Sequence, residues 1–539
     1  MKQLSGVDAS FLYMETATTF GHVSGLSVFE RPDEPGWSPY DALVAKIGSR
    51  LDDLEPLRRR VIEVPFQLDH PYWIQDPDFS LDYHIRETAI PPPGDEHRLG
   101  ELVSRLISRP LDRAHPLWEA WVIEGLSDHR FAILTKLHHA TIDGAAGAEL
   151  MTILFDDEPH PADISAPYQP VRGEPVPSGA QVLARALTDV ARKPRKLVRL
   201  QVRSLRALGE LTRNQGLTGL ADLARIVPSP IPSRARRSGT GDQDRPPTPP
   251  RTAAPSTPFN KAITAGRRLA LRSTSLGDIK AIKNATGATV NDVVMAVCAG
   301  ALRRYLEDHD ALPEAPLVAM VPVSIRTGQE EDRWTNRVSA IFAAIPTNEA
   351  SPLDRIVAVH QEMEAAKDRF NLIPADVLTD FSQFSAPALA IRAARLSTRL
   401  RIADRTRPPV NLVISNVPGP RNALYLAGAT LKQYYPVSTI TEGQGLNITV
   451  QSYRDNLDWA LVGARDLLPD LEHLAELIID EISTLVALSA GEPSARTDDS
   501  GARSPSPSDR PEPLAAAPDA AAPLAGMTQT KRANRISAG

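Results

Sequence analysis

The sequence predicts an α/β fold in each of two halves, because strand-like and helix-like segments mix on both sides of a proline-rich break. With 539 residues, the chain is longer than a single hydrophobic core usually supports. The break covers residues 227–259, and a second stretch rich in proline and alanine ends the chain. We therefore assign residues 1–226 and 260–490 to the two halves, 227–259 to a disordered linker and 491–539 to a disordered tail.

The first half contains both of the periodicities that define regular structure. HVSGLSVFE (22–30) and FAILTKLHH (131–139) are typical of buried strands. PYDALVAKIGSRL (39–51) and GELVSRLIS (100–108) place apolar residues at helical spacing. Strands and helices therefore alternate before the break.

The second half repeats this mixture. VNDVVMAVCAGALRRYLED (290–308) is predicted to be a buried helix, with Asn291 or Asp292 near its first turn as a capping residue. The segments predicted to be strands, each with the few residues that follow it, are 317–326, 338–346, 410–420, 445–453 and 457–466.

Residues 182–213 are predicted to form a basic amphipathic helix. From Arg192 onward this stretch carries eight Lys or Arg residues and one Glu, and its leucines recur at helical spacing. Such a helix could pack on the core of the protein, lie on a membrane or lipid-droplet surface, or contact a phosphorylated ligand.

Composition excludes several classes of protein. A net charge of −6 gives no reason to expect nucleic acid as a partner. The single cysteine, Cys298, excludes an internal disulfide framework and favours a reducing cytoplasm. The N-terminus lacks the pattern of a secretory signal, and no run of 18 apolar residues occurs. We expect a cytoplasmic protein that is not integral to a membrane.

The segment AILTKLHHATIDGAAGAELMTI (132–153) contains the clearest candidate site. His138 and His139 stand at the end of the predicted strand, and Asp143 is expected at or just before a helix N-terminus, where the helix dipole favours a carboxylate. Gly144 allows the backbone to turn tightly. Ends of strands and starts of helices are where α/β folds bind ligands.

Three chemistries could use these residues. Metal binding is disfavoured, because adjacent histidines point in different directions and no Cys/His cluster completes a site. A serine nucleophile is disfavoured, because the G-x-S-x-G elbow is missing. General-base catalysis remains, since a neutral imidazole can take a proton from a hydroxyl at neutral pH. A lone histidine could equally be a buried structural residue.

HHATIDG (138–144) has the form H-H-x-x-x-D-G, the signature of the CoA-dependent acyltransferase superfamily. The chain resembles in particular the bacterial wax ester synthase/diacylglycerol acyltransferase family, from the N-terminus to about residue 485 apart from the proline-rich insert. The other blocks that carry this resemblance are LSGVDASFLYMET (4–16), PLDRAHPLWEAWVIEGL (110–126), TVNDVVMAVCAGALRRYL (289–306), VPVSIR (321–326), SNVPGP (415–420) and LNITVQSY (446–453).

The resemblance implies two α/β halves of the chloramphenicol-acetyltransferase type, with a central channel between them. His139 would be the general base, and His138 would be structural. Asp143 would hold the loop by pairing with an arginine, for which Arg326 is a candidate. Gly144 would be a conformational residue that could also leave room for the CoA arm.

The oxyanion of the tetrahedral intermediate needs a hydrogen-bond donor. The D-F-G-W-G block of the superfamily is missing, and DWALVGARD (458–466) does not match it. Asn291 is the candidate contributor, although Asn291 and Asp292 could simply cap a helix. PLWEAW (116–121) is expected to pack beneath the histidine strand. No covalent acyl-enzyme, no metal and no cofactor are expected, and acyl-CoA would be a co-substrate.

The resemblance implies an acyl-CoA-dependent O-acyltransferase that makes triacylglycerol from diacylglycerol, and that could also make wax esters from long-chain alcohols. One alternative is an acyltransferase for another lipid or polyketide hydroxyl. The other is a non-catalytic lipid-droplet-binding protein of the same fold. An intact histidine motif argues against the last alternative, because a binding protein needs no positioned base.

Overall fold

The computed structural model describes residues 1–142, 151, 153–160, 173–192, 254–324, 338–371 and 387–491. Within these ranges the strands are β1 Lys2–Gln3, β2 His22–Glu30, β3 Arg59–Ile62, β4 Tyr72–Gln75, β5 Ile85–Ala89, β6 Trp118–Glu124, β7 Arg130–His138, β8 Arg267–Ser275, β9 Leu317–Ser324, β10 Val338–Ile345, β11 Leu412–Val417, β12 Tyr425–Leu426, β13 Ala429–Val437, β14 Leu446–Tyr453 and β15 Asn456–Ala464.

The helices of the described ranges connect these strands or cover their sheets. They are α1 Gly6–Tyr13, α2 Pro39–Arg50, α3 Leu81–His84, α4 Glu96–Ile107, α5 Gly179–Arg192, α6 Leu276–Thr286, α7 Val290–Asp308, α8 Pro352–Asn371, α9 Pro387–Arg399 and α10 Leu471–Gly491.

Two six-stranded mixed sheets form the framework, which confirms the predicted α/β fold class. The first sheet has the strand order β12-β13-β2-β7-β6-β5, and the second has the order β10-β9-β11-β14-β15-β8. A small third sheet contains β1, β4 and β3. The predicted strands at 22–30, 131–139, 317–326, 338–346 and 445–453 coincide with β2, β7, β9, β10 and β14 to within two residues at each end.

Helices cover the sheets in layers. Leu43 and Ile47 of α2 pack with Phe131 on one face of the first sheet. The opposite face of that sheet packs against α4, and the same cluster reaches Leu269 and Leu271 of β8. Helix α4 therefore lies between the first sheet and an edge of the second. The large core of the second half gathers α6, α7, α8 and α10 on its sheet.

The sheets do not follow the domain division drawn from composition. β13 belongs to the second half of the chain, yet it pairs antiparallel with β2 of the first sheet along Thr430–Val437. The chain then returns to the second sheet as β14, beside β11. The described residues up to Gly491 accordingly belong to one compact unit.

The predicted linker also ends earlier than composition indicated. Residues 254–259 of the 227–259 segment are described, and Ala254 and Phe259 are fully buried. Asn260 donates to the backbone oxygens of Asn411 and Gly443, at 2.7 and 2.8 Å. These contacts fix the entry into the second half, so this part of the segment packs despite its polar and proline-rich composition. Residues 227–253 and 492–539 lie outside the described residues.

Helix α7 confirms the prediction for 290–308 but begins with a different cap. Thr289 is the N-cap residue, and its hydroxyl accepts the Asp292 amide hydrogen bond while the Asp292 carboxylate accepts that of Thr289. This capping box satisfies two donors of the first turn. His360 also contacts the Asp292 carboxylate at 2.8 Å. Asn291 is therefore not the cap, and Asp292 acts from the third helical position.

A buried carboxylate ties the crossing strand to the second sheet. Asp458 of β15 is fully buried, and it accepts hydrogen bonds from the Ser273 hydroxyl at 2.6 Å and from the Tyr434 amide of β13 at 2.8 Å. Burial, opposed by these hydrogen bonds, raises the pKa of the Asp458 carboxyl to about 6. The folded protein therefore holds this proton more tightly than the unfolded chain does.

We expect Asp458→Asn to become progressively more stable relative to the parent protein as the pH rises. An asparagine can still accept from Tyr434 and can donate to Ser273. Because the folded pKa is raised, the parent loses stability as the pH rises from about 4 to about 6. The total loss, about 3 kcal/mol, is then retained at higher pH. Unfolding midpoints at pH of about 4 and about 7 measure this difference. Asp128→Asn, at a highly exposed side chain, is the matched control. A difference between Asp458→Asn and the parent that does not vary with pH would contradict this account.

Candidate active site

The histidine pair lies at the end of β7, where the strand pairing brings several segments together. His138 is the last residue of β7 and stands opposite His22 of β2. Its amide donates to the Leu117 carbonyl at 2.9 Å, and the His139 amide donates to the Gly21 carbonyl at 2.7 Å. The predicted position of both histidines at a strand end is confirmed.

The strand next to the histidine strand is β6, which begins within PLWEAW. β6 pairs antiparallel with β7, and Trp118 stands opposite Leu137. The Trp118 indole is buried and donates to the Leu57 carbonyl at 2.7 Å. The segment was predicted to pack beneath the histidine strand; it lies beside that strand instead, as its hydrogen-bonded neighbour in the sheet.

The two imidazoles have different surroundings. His138 is 1% exposed. Its Nδ1 accepts the Ala140 amide hydrogen bond at 3.0 Å, and its Nε2 lies 3.2 Å from Glu15 Oε1. His139 is only half-buried, and its ring stacks on Phe11 of α1 with centroids 4.0 Å apart and planes 10° apart. Thus the first histidine is enclosed by polar contacts, whereas the second lies against an aromatic face.

Sequence reasoning missed the carboxylate next to His138. Glu15 is 13% exposed, and Arg113 donates to its Oε2 from Nε at 3.1 Å and from a terminal nitrogen at 2.6 Å. Burial alone would raise the pKa of Glu15, but His138, the Gly21 amide and Arg113 together lower it to about 2. Glu15 and Arg113 lie near the ends of two of the blocks that carry the family resemblance, 4–16 and 110–126. Their opposite charges were the one feature of the sequence that could have suggested this ion pair.

A second buried charge lies two residues before His138 on the same strand. Lys136 of β7 is 1% exposed, and its ammonium donates to the carbonyls of Leu106 and Arg109 at 3.3 and 2.6 Å. Burial lowers the pKa of Lys136 to about 8, although Glu119 opposes this shift. The His22 ring also contacts the Ile107 carbonyl at 2.9 Å. Lys136 and His22 therefore contact the backbone carbonyls at and just beyond the C-terminal end of α4, beside the site.

The remaining predicted site residues are only partly described. Asp143, Gly144 and Arg326 lie outside the described residues, so the predicted pairing of Asp143 with Arg326 stays a prediction. Asn291 is half-buried in the first turn of α7. In the part of the chain that the structure describes, Asn291 is not among the side chains that hydrogen-bond to Glu15 or Arg113. Its predicted role at the oxyanion stays a prediction. No group of three or more His, Cys, Asp or Glu side chains in the described ranges could hold a metal ion.

Gly21 provides the space that the His138 ring needs. A Cβ atom at this position would lie 2.5 Å from His138 Nε2, 2.8 Å from its Cε1 and 3.1 Å from the Phe11 carbonyl oxygen. The two distances to the His138 ring are shorter than real Cβ contacts, and the third is tighter than most. Any side chain here would push His138 away from Glu15 or move the loop that binds the His139 amide.

We therefore expect Gly21→Ala to lower kcat by about 100-fold, the cost that a displacement of about 1 Å can impose on a catalytic group. Steady-state rates of the purified variant measure this effect. Gly179→Ala is the matched control, because the nearest atom to a Cβ there is 3.9 Å away on the Pro65 side chain. Normal kcat and an unchanged unfolding midpoint in Gly21→Ala would show that the ring is not confined in this way.

Comparisons with known proteins match nearly the whole chain. Residues 4–294 match the family described as wax ester synthase/diacylglycerol acyltransferase catalytic domain, and residues 334–485 match the WS/DGAT C-terminal domain. The chain is 34% identical over 495 residues to a putative diacylglycerol O-acyltransferase of Mycobacterium tuberculosis strain CDC 1551, with 92% of each chain covered. A second putative diacylglycerol O-acyltransferase of that strain is 37% identical over 494 residues, covering 90% of this chain and all of the relative.

A solved structure agrees with these sequence matches. The wax ester synthase/diacylglycerol acyltransferase from Marinobacter aquaeolei VT8 superposes with a TM-score of 0.63 at 28% sequence identity. The superposition covers 91% of this chain and all of that protein. The match therefore extends over both halves of the fold.

Proposed function

The chain belongs to the wax ester synthase/diacylglycerol acyltransferase family, and on that premise we propose that His139 is the general base of its reaction. The protein is an O-acyltransferase that makes triacylglycerol or wax esters. The observation that carries the proposal is the difference between the two histidines. Only His139 combines partial exposure with a ring held flat against an aromatic side chain.

His138 is unsuited to act as the base. Its Nδ1 accepts a backbone hydrogen bond, so the proton of the neutral ring is on Nε2, which faces Glu15. The ring is also almost completely enclosed. We therefore propose a structural role for His138, in agreement with the role that the resemblance implied.

The proposed reaction uses acyl-CoA as the donor and needs no covalent intermediate on the enzyme. His139 takes the proton of the acceptor hydroxyl while that oxygen attacks the thioester carbonyl. The tetrahedral intermediate then collapses, and the proton passes to the departing CoA sulfur. General-base assistance of this kind contributes about 10²–10⁴-fold. Cys298 is fully buried in α7, and burial raises the pKa of its thiol, so it is not a suitable nucleophile.

The supporting residues extend the same proposal. Asn291 would stabilise the oxyanion or hold the site, Asp143 would hold the loop with Arg326 as its partner, and Gly144 would permit the turn. An Asn291→Ala variant should lower kcat more than it raises KM if the amide acts on the transition state.

The proposed acceptor is diacylglycerol, and long-chain alcohols are the second candidate. Both place a hydroxyl beside long apolar chains. An apolar site separates chain lengths weakly, because one methylene contributes only about 1–3 kcal/mol. The relatives at 34–37% identity are named for diacylglycerol, which supports this order. A polyketide or glycolipid hydroxyl, or lipid-droplet binding without catalysis, are the alternatives to be tested.

Release of CoA thiol from palmitoyl-CoA tests the proposal. We expect release that depends on diacylglycerol and that falls by about 10²–10⁴-fold in His139→Ala. His97→Ala is the matched control, since the His97 side chain is 59% exposed. Release with hexadecanol alone would make the protein chiefly a wax ester synthase. Undiminished release in His139→Ala would remove His139 from the role of base. Droplet binding by a parent protein that releases no CoA would favour the non-catalytic alternative.

We also propose peripheral attachment to the cytoplasmic face of a membrane or to lipid droplets. The basic residues that follow Arg192, from 193 to 213, lie outside the described residues. The helix leading to them, α5, exposes 54% of Leu187, and Val176 before it is 49% exposed. These apolar side chains, next to a basic segment, support contact with an anionic lipid surface.

No single helix among the described residues is long and apolar enough to cross a membrane. The helices α6 and α7 together are long and apolar enough by length and composition, but they are bent by 100° relative to each other.

Co-sedimentation with phosphatidylglycerol vesicles tests the proposed attachment. We expect binding at about 0.1 M salt that weakens strongly at about 1 M, because the Debye length falls from about 10 to about 3 Å. Vesicles of phosphatidylcholine alone are the control. Equal binding at both salt concentrations would contradict attachment through the basic segment.

A further inference from the structure

We propose that Glu15, held by Arg113, is the positioning residue of the histidine pair, an inference that rests on the proposed role of His139. Neither residue is part of the H-H-x-x-x-D-G motif. Glu15 follows α1, and Arg113 lies 98 residues further along the chain. The fold brings both to the end of β7.

The Glu15 carboxylate is engaged on both of its oxygens. Oε1 accepts the Gly21 amide hydrogen bond at 2.8 Å and lies 3.2 Å from His138 Nε2. Oε2 accepts two hydrogen bonds from the Arg113 guanidinium, at 3.1 and 2.6 Å. This arrangement restricts the orientation of the carboxylate plane, because its two oxygens are held by different donors, Oε1 by the Gly21 amide and Oε2 by the Arg113 guanidinium.

Arg113 is itself anchored independently of Glu15. It donates to the Leu12 carbonyl at 2.8 Å, near the end of α1, and to Glu63 at 2.7 Å. Glu63 is 55% exposed and lies on the outer side of this group. The guanidinium therefore links the end of α1 to the carboxylate that follows it.

The surroundings of His138 determine which of its nitrogens carries the proton. The Ala140 amide donates to Nδ1, so the neutral ring has its proton on Nε2, facing the carboxylate. Nδ1 is then used by the loop that follows the strand, and Nε2 lies 3.2 Å from the Glu15 carboxylate. The His138–Ala140 segment, which contains His139, is held by these two contacts.

Glu15 reaches His139 by a second route, through the backbone of Gly21. The Gly21 amide donates to Glu15, and the Gly21 carbonyl accepts the His139 amide hydrogen bond. The stacking partner of His139, Phe11, belongs to α1, the helix that Glu15 follows. One carboxylate thus contacts both the neighbouring ring and the backbone partner of the proposed base, and it directly follows the helix that carries the aromatic support.

The charge of Glu15 is retained at physiological pH, since its contacts lower its pKa to about 2. Replacing this carboxylate with an amide leaves the Arg113 cation beside the histidines without its main counter-charge. An added positive charge disfavours protonation of a nearby imidazole, so it lowers the pKa of that imidazole. A positioning role therefore predicts two separable effects, a loss of rate and a shift of the pH profile.

The experiment compares kcat, KM and the pH dependence of kcat/KM for Glu15→Gln, Glu15→Asp and the double variant Glu15→Gln/Arg113→Gln. We expect Glu15→Gln to lower kcat by about 10- to 100-fold, as loss of an orienting partner does at other sites, with little change in KM for acyl-CoA. The acidic limb of its kcat/KM profile should move to lower pH, because the uncompensated Arg113 cation disfavours protonation of the nearby imidazole. Glu15→Asp, which keeps the charge, should retain the parent pH profile.

The double variant separates charge from position and serves if Glu15→Gln does not fold. With both charges removed, we expect the acidic limb to return toward that of the parent while kcat stays low. Glu63→Gln is the matched control, because it removes the exposed partner of Arg113 and leaves Glu15 in place. It should keep the parent kcat and pH profile. Unfolding midpoints of all variants identify any loss that comes from instability alone.

The outcomes distinguish this inference from the proposed function. A Glu15→Gln variant with parental kcat and pH profile, alongside an inactive His139→Ala, would overturn the positioning role and leave the base intact. A low kcat in the double variant with no shift of the limb in Glu15→Gln would make Glu15 a purely structural residue and also overturn the inference. Activity that persists in His139→Ala would overturn the proposed function itself.

Discussion

The antiparallel pairing of β13 with β2 joins the second half of the chain to the strand beside the histidine strand. Since β13 is also tied to β15 through the buried Asp458, the two sheets cannot separate without breaking a ladder and exposing a carboxylate. Beyond the end of β13, the Thr439 hydroxyl donates to the Phe20 carbonyl at 2.8 Å. From the second sheet, Arg267 donates to the Thr18 carbonyl at 2.6 Å. The loop that carries Gly21 is therefore held by the second half of the chain as well as by Glu15 of the first half.

Around the histidines, charge is buried only where it is paired or hydrogen-bonded, as the cost of burying an isolated charge requires. Glu15 contacts Arg113 and His138, and Lys136 donates to the carbonyls at the end of α4. These contacts give the two adjacent histidines different surroundings. His138 is enclosed by polar partners, which suits a structural residue, and His139 has a ring position that suits a base.

Sequence patterns predicted the elements whose residues repeat with a regular period. The strands β2 and β7 and the helix α7 each contain a largely apolar stretch and were predicted within one residue at each end. β13, ATLKQYYPV, was not predicted, because its buried partner β2 lies about 400 residues away and its own sequence mixes polar and apolar residues. The cap of α7 was misplaced because Thr289, Asn291 and Asp292 are all suitable capping residues, and only the backbone geometry distinguishes them.

The sequence by itself determined the α/β class, the position of the histidine motif at a strand end and the family to which the chain belongs. These properties depend on local periodicity, on turn chemistry and on ordered blocks, all of which can be read along the chain. Only the tertiary structure decided that Glu15 and Arg113 meet beside His138, and that a strand of the second half completes the first sheet. Such contacts join residues about 100 to 400 positions apart, and their energies depend on burial and distance, which no local pattern encodes.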